Sequence, residues 1–457
     1  MAMGMSSSMV HDIAREKGTP ARSAALPRPT HVTYRQRTIF LFLLCSAYVA
    51  IPWGDIPFLG ISLSAPLMFL IALEVYLRPP APWLKHYRPW VLLAGAMWAG
   101  IFLSAVVNGL RSGGTVLDRQ SALEVFHFGY WLGVVFLVTV YLVSYLDLGR
   151  RVVSVTAAAV VLTALVRWFE AVAYGKIGAW TSPRFFTQNM YGWLFSTFTP
   201  FLYAILVDPM TKRRWPAAVG ILVVWSAAAI NGSRGSWVGL AGGLLLFLLL
   251  YLRVYPQRYR GLLMIILVCA GFLGLITLAP DRVVAAVSQR YATFQHIEED
   301  KTYLARRLMV QKGLRLFQSS PIVGVGPARW TKEYIPLDIP EQLGGWQSQA
   351  SYQRKTSHNS YVALLAETGL VGTIPFALLL LTLVWRGYGA MMQLAKGGAL
   401  WAMGVYTAFV GMSIHLWVLA GLTSTSTWVM YGLVGACIHQ ASRLSVDQVQ
   451  SLRENAD

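Results

Sequence analysis

Stretches of about twenty consecutive apolar residues recur along this chain, and that is the length a helix needs to cross the hydrocarbon core of a bilayer. About twelve can be marked by length and apolar content. They lie near 38–54, 58–77, 90–107, 122–146, 150–174, 188–207, 215–230, 235–252, 260–279, 360–384, 398–420 and 422–441. The chain of 457 residues is 56% hydrophobic and only 13% charged, where a soluble domain carries roughly twice that charged fraction. The sequence therefore predicts an all-α polytopic membrane protein. One stretch breaks the pattern. From Pro280 to Asn359 the chain is polar, which predicts one large helical segment between the ninth and tenth spans.

The net charge of +18 sorts by side of the membrane and does not mark a nucleic-acid binder. With the N-terminus inside, the inner connections hold Arg78, Lys85, Arg88, Arg150, Arg151, Lys212, Arg213, Arg214, Arg253, Arg258 and Arg260. The short outer connections hold only Arg111, Arg119, Lys176, Arg184 and Arg234. An excess of Arg and Lys marks the cytoplasmic side. The expected organisation is a basic cytoplasmic tail over 1–37, spans one to nine over 38–279 and an outward segment over 280–357. Spans ten to twelve follow over 358–441, and a cytoplasmic tail over 442–457. Residues 1–37 lack the small-residue cleavage site of a secretory signal. Cys45, Cys269 and Cys437 fall inside spans and read as packing residues. No nucleotide-binding glycine fingerprint is present, and no His/Cys spacing marks a transition-metal site.

Three groups at the outer face stand out. In Asn231-Gly232-Ser233-Arg234-Gly235-Ser236 an arginine opens a helix. A cation there is unfavourable for the helix dipole unless both address one anion; the alternative is an arginine snorkelling to the headgroups. In Lys301–Ser320, Tyr303, Val310, Leu314 and Phe317 fall at helical spacing, and Arg307 projects onto the middle of that face. It needs a ligand or an ion pair, with Glu333 or Glu298 as partner. Arg306, Lys312 and Arg315 project elsewhere. The helix ends at Pro321, and the turn Pro321-Ile322-Val323-Gly324-Val325-Gly326-Pro327 carries little information alone. In Thr356-Ser357-His358-Asn359-Ser360-Tyr361, Ser357 is the expected N-cap and His358 the expected first-turn residue. Neutral imidazole is the usual general base near neutral pH, although a lone histidine at a helix start is more often a cap or surface group. Glu367 lies inside the following apolar helix and needs a partner. Arg167 and Glu170, three apart, most simply pair with each other. The acidic run Glu298-Glu299-Asp300 complements the N-terminus of the helix it precedes.

Ser233-Arg234-Gly235, then Arg307 leading into Ser320–Pro327, then His358-Asn359-Ser360-Tyr361 through Ala366-Glu367-Thr368-Gly369-Leu370-Val371-Gly372 occur in that order. The ordered set, over about 180–375, resembles the O-antigen ligase / polymerase superfamily of bacterial inner-membrane glycosyltransferases. The resemblance implies a glycan donor carried on undecaprenyl diphosphate, used at the periplasmic face without metal, nucleotide or other cofactor. A ligase passes the glycan to lipid A–core oligosaccharide, completing lipopolysaccharide. The family's arginines map onto Arg184, Arg234 and Arg307, which would hold the diphosphate, with Arg306 an alternative to its neighbour. The histidine maps onto His358, which would activate the acceptor hydroxyl. Asn359, Tyr361 and Glu367 would support it. Around Arg184 the match is loose, because Phe185-Phe186-Thr187 replace the small residues usual there.

No second carboxylate is placed to form a glycosyl-enzyme intermediate, so direct inverting attack is expected. Polymerase and protein O-oligosaccharyltransferase are the alternatives within the superfamily. A transporter of an anionic substrate is the alternative outside it. The order of spans, with the largest polar segment late, resembles ligases more than dedicated polymerases.

Overall fold

The computed structural model describes residues 32–51, 55–56, 61–62, 64–77, 87–113, 116–175, 187–257, 259–279, 281–292, 297–344, 349–419 and 421–454. A helix occupies each of the apolar intervals marked above. These are α1 (Val32–Val49), α2 (Ser64–Leu77), α3 (Arg88–Arg111), α4 (Arg119–Tyr145), α5 (Gly149–Tyr174) and α6 (Gln188–Val207), then α7 (Trp215–Asn231), α8 (Arg234–Val254) and α9 (Tyr259–Thr277). The polar segment adds α10 (Asp281–Ala292) and α11 (Lys301–Ser319). The chain then ends on α12 (Ser360–Lys396), α13 (Trp401–His415) and α14 (Thr425–Glu454). A two-residue antiparallel pair, β1 (Asp55–Ile56) with β2 (Ile61–Ser62), precedes α2. Met1–Phe40 and Leu41–Asp457 form separate units; of the first, residues 32–40 are described, as the start of α1.

Among the described residues six helices are long and apolar enough to cross a membrane: α3, α4, α5, α6, α8 and α12. Gly261–Thr277 and Asp281–Gln289, bent at 109°, make a seventh if they count as one span. α2 and α7 are shorter apolar helices.

α6 is the centre of the bundle. It is buried along nearly its whole length, with Tyr191, Phe195, Phe198, Phe201 and Tyr203 at most 1% exposed. α5, α7, α8 and α13 pack around it. A helix walled in on all sides reads as continuously apolar and aromatic, which is what this stretch shows.

α12 packs along α3 and α14 and is broken at Gly369, whose φ of 59° and ψ of −157° are non-helical. The break exposes backbone groups that a helix would have paired, and buried backbone groups must find partners. The Pro321–Pro327 turn supplies them. Leu370 and Val371 donate their N–H groups to Pro321 O (2.9 Å) and Ile322 O (3.1 Å). Val325 and Gly326 donate to Ala366 O (3.0 Å) and Glu367 O (2.9 Å). From α3, Ser104 Oγ donates to Val323 O and Glu367 O, and Asn108 Nδ2 to Gly324 O. The two glycine-bearing motifs are thus halves of one joint.

This joint leaves no room for a side chain. A Cβ on Gly324, which sits at φ +67°, would stand 2.4 Å from the Glu367 carbonyl. We expect Gly324→Ala to cost about 1–3 kcal/mol or more through overpacking and strain. Thermal unfolding of the purified protein measures this, and an unchanged midpoint would refute the joint.

Candidate functional site

The site is assembled where the polar segment meets one end of the helix bundle. Its first wall is the turn between α7 and α8. Gly232 ends α7 in the left-handed region, at φ 65°. Asn231 is fully buried; its Oδ1 accepts from Arg167 Nε (3.3 Å), and its Nδ2 donates to Gln188 O (2.9 Å). Arg167 pairs with Glu170 at 3.9 Å, both fully buried, as their spacing predicts. This charged anchor fixes the turn from which Arg234 projects.

Arg234 is mostly buried and its Nη2 lies 2.8 Å from Asp300 Oδ1. The same oxygen accepts from Tyr303 N at 3.0 Å, so Asp300 is the N-cap of α11. One carboxylate therefore ties α8 to α11. Its cap position was legible as an acidic residue before a helix; its ion pair with Arg234 was not.

α11 is rotated from the sequence expectation. Its buried face is Leu308, Met309, Lys312, Gly313 and Leu316, while Tyr303 and Leu314 are exposed. Arg307 is exposed too, and it has no ion pair with Glu333, Glu298 or any other carboxylate among the described residues. Arg306 is the half-buried one. Burial lowers its pKa, the Arg234 guanidinium lowers it further, and Asp300 offsets part of this. The physical reason lies in contacts distant in sequence. Leu308, Met309 and Leu316 join Trp330, Leu337, Leu343 and Tyr352 in a small core of the polar segment. Lys312, expected to point elsewhere, is fully buried in it and donates to Trp330 O and Gln353 O, each at 2.8 Å. Burial pulls its pKa down to about 8. Gly313 brings α11 against α12, since a Cβ there would be 2.2 Å from Val362 Cγ1.

His358 sits on the strap that enters α12. The N-cap is Asn359 rather than Ser357: its Oδ1 accepts from Tyr361 N (3.1 Å) and Val362 N (3.0 Å). Ser357 instead clasps the Asn359 backbone, accepting from its N–H and donating to its carbonyl. His358 therefore precedes the cap and lies outside the first turn. It has φ 48°, a left-handed conformation that a non-glycine residue adopts at a cost of about 1–3 kcal/mol. Burial pushes its pKa below the usual imidazole value, and the neighbouring Arg306 and Lys355 charges push it further down. The ring is held neutral near pH 7.

The supporting residues are structural joints. Tyr361 donates to Ser413 O on α13 at 2.6 Å. Glu367 Oε1 accepts from Trp330 N at 3.0 Å, which answers its need for a partner. Arg184 lies outside the described residues. The Arg306 charge acts on Arg234 and on His358, while Arg307 is exposed.

Beside the Arg234 turn opens a cavity of about 620 Å³, almost wholly apolar. Ala228, Ala229 and Trp237 flank it near Arg234, and Leu244, Phe272 and Tyr291 are among its other walls.

Such a fold and site define a multi-pass membrane protein with a cationic centre at one end of its bundle. Residues 217–377 match the family model for O-antigen ligase. Over 199 residues the chain is 28% identical to the exopolysaccharide production protein ExoQ of Rhizobium meliloti, covering 39% of this chain and 44% of that protein. The chain thus spans less than half the length of that relative. Both findings support the O-antigen ligase/polymerase superfamily.

Proposed function

We propose that this protein is an O-antigen ligase. It moves a glycan from undecaprenyl diphosphate to lipid A–core oligosaccharide at the periplasmic face of the bacterial inner membrane. What supports this reading is Arg234 held by Asp300, the Arg306 charge acting on both Arg234 and His358, and an apolar cavity beside the Arg234 turn. Among the described residues Asp300 is the carboxylate paired with Arg234, and the second cation, Arg306, adds positive charge for an anion. The cavity offers the carrier's hydrocarbon chain a seat next to that charge.

In the reaction, the acceptor hydroxyl gives its proton to His358 as its oxygen bonds to the anomeric carbon. The bond from that carbon to the carrier's phosphate oxygen breaks, and the electron pair leaves with the diphosphate. Arg234 and Arg306 stabilise the charge that develops there; a preorganised donor of this kind is worth about 3–4 kcal/mol. Attack from the face opposite the leaving group inverts the anomeric centre. Every step is carried by these side chains, so we expect a chelator to leave the rate unchanged; a loss reversed by a divalent ion would refute this.

A polymerase uses the same chemistry with a second carrier-linked glycan as acceptor, and the match to an exopolysaccharide production protein favours that second reading. Purified protein, undecaprenyl-diphosphate-linked glycan and lipid A–core decide between them. A shifted lipid A–core band supports the ligase. Lengthened glycan on the carrier supports the polymerase. No covalent product with either acceptor removes both and leaves a protein O-oligosaccharyltransferase or an anion transporter.

The seat for the chain has its own test. Ala241→Trp fills the cavity from α8 without touching Arg234. We expect KM for the undecaprenyl donor to rise about tenfold, equivalent to ~1.4 kcal/mol, with kcat little changed. An unaltered KM would place the chain elsewhere.

A further inference from the structure

We infer that His415 belongs to the anion site and presents its Nε2 to the phosphate held by Arg234. The inference rests on the diphosphate reading above and adds a residue to it. His415 ends α13 and lies outside the matched residues 217–377. As the last residue of an apolar helix it reads in sequence as a packing group.

Its surroundings are not those of a packing group. The residue is 8% exposed. Its Nδ1 stands 3.5 Å from Ser196 Oγ on the central helix α6. That hydroxyl also lies 3.2 Å from Trp193 O. A hydroxyl can donate or accept; when its hydrogen goes to Nδ1 rather than to Trp193 O, Nε2 carries the proton. No partner for Nε2 is found among the described residues. The open edge of the ring rests on the backbone of Gly235. A Cβ built there would lie 3.6 Å from His415 Cε1 and 3.9 Å from Nε2.

Gly235 is the second residue of α8, so this edge faces the first turn of a helix of 21 residues. The leading N–H groups of a helix lack intrahelical acceptors and carry partial positive charge. The Arg306 guanidinium is near enough to act on the His415 ring as well as on His358. The Arg306 charge thus acts on Arg234, His358 and His415, the open edge of the His415 ring lies against the first turn of α8, and Asp300 pairs with Arg234. An open Nε2 beside a helix N-terminus and guanidinium groups suits an anion, and a phosphate oxygen accepts its proton.

Two amide substitutions separate a ligand role from a structural one. The side-chain nitrogen of Asn overlays Nδ1 and keeps the Ser196 contact. That of Gln reaches the place of Nε2. Binding of undecaprenyl diphosphate to the full-length protein in detergent is measured for wild type, His415→Asn, His415→Gln and Arg234→Ala, with melting temperatures recorded. We expect His415→Asn to weaken binding about tenfold and His415→Gln to stay within about threefold of wild type, tenfold being ~1.4 kcal/mol. The bound phosphorus resonances should move in His415→Asn. Equal binding by both variants, or retention by Asn and loss by Gln, overturns the inference. So does collapse of both melting temperatures, because the ring would then be structural. If wild type itself fails to bind, the diphosphate reading falls. If Arg234→Ala alone weakens binding, that reading stands without His415.

Discussion

His358→Ala will lower glycan transfer by about two to four orders of magnitude, the range a positioned general base contributes, while the protein stays folded. Among the described residues no hydrogen bond or ion pair to the imidazole is found. Asn359 caps α12 and Ser357 clasps the Asn359 backbone, so the strap keeps its shape without the ring. The conformation at 358 is itself costly: at φ 48° a side chain is disfavoured, and glycine would relieve the strain. His358→Gly should therefore melt no lower than wild type and be equally inactive. A strained conformation at this position fits the proposed role as base. The pH profile gives a second reading. Burial, Arg306 and Lys355 all hold the ring's pKa below the usual 6.5. Transfer should rise with pH along an acid limb centred below that value. Full transfer by either variant would remove His358 as the base.

The helices were legible because a bilayer imposes a length and a composition on each span, and both can be counted along a chain. Side-chain placement was legible where the partner was near in sequence. Arg167 and Glu170 are one turn apart and do pair. Asp300 precedes α11 and does cap it. The rotation of α11 was not legible. Two apolar lines run along that helix, and the choice between them is made by Trp330, Leu337, Leu343 and Tyr352, which reach it only in the fold. The Pro321–Pro327 turn looked uninformative for the same reason. Its glycines answer to the break at Gly369, some forty-five residues on. The cap at Asn359 was missed because Ser and Asn are equivalent N-caps, and the left-handed turn at His358 moves the helix start along.

The rotation of α11 makes the sharpest contrast available at this site: Arg306→Ala and Arg307→Ala should differ widely. The residues are adjacent, equally charged and on one helix, so a bulk electrostatic effect would be the same for both. Only Arg306 is half-buried, with its charge acting on Arg234 and His358. Its removal takes away a preorganised cation at the leaving diphosphate, which costs about a hundredfold or more in kcat. Removing the exposed Arg307 changes a solvated charge and should cost at most about threefold, within the ~1 kcal/mol typical of surface charges. The pH profile will move as well. Arg306 disfavours the imidazolium of His358, so without it the imidazolium is easier to form and the His358 pKa rises toward 6.5. The acid limb of the residual activity then shifts to higher pH in Arg306→Ala and stays in place in Arg307→Ala. Equal losses in the two variants, or a larger loss in Arg307→Ala, would return the diphosphate contact to Arg307, the residue onto which the family resemblance maps it.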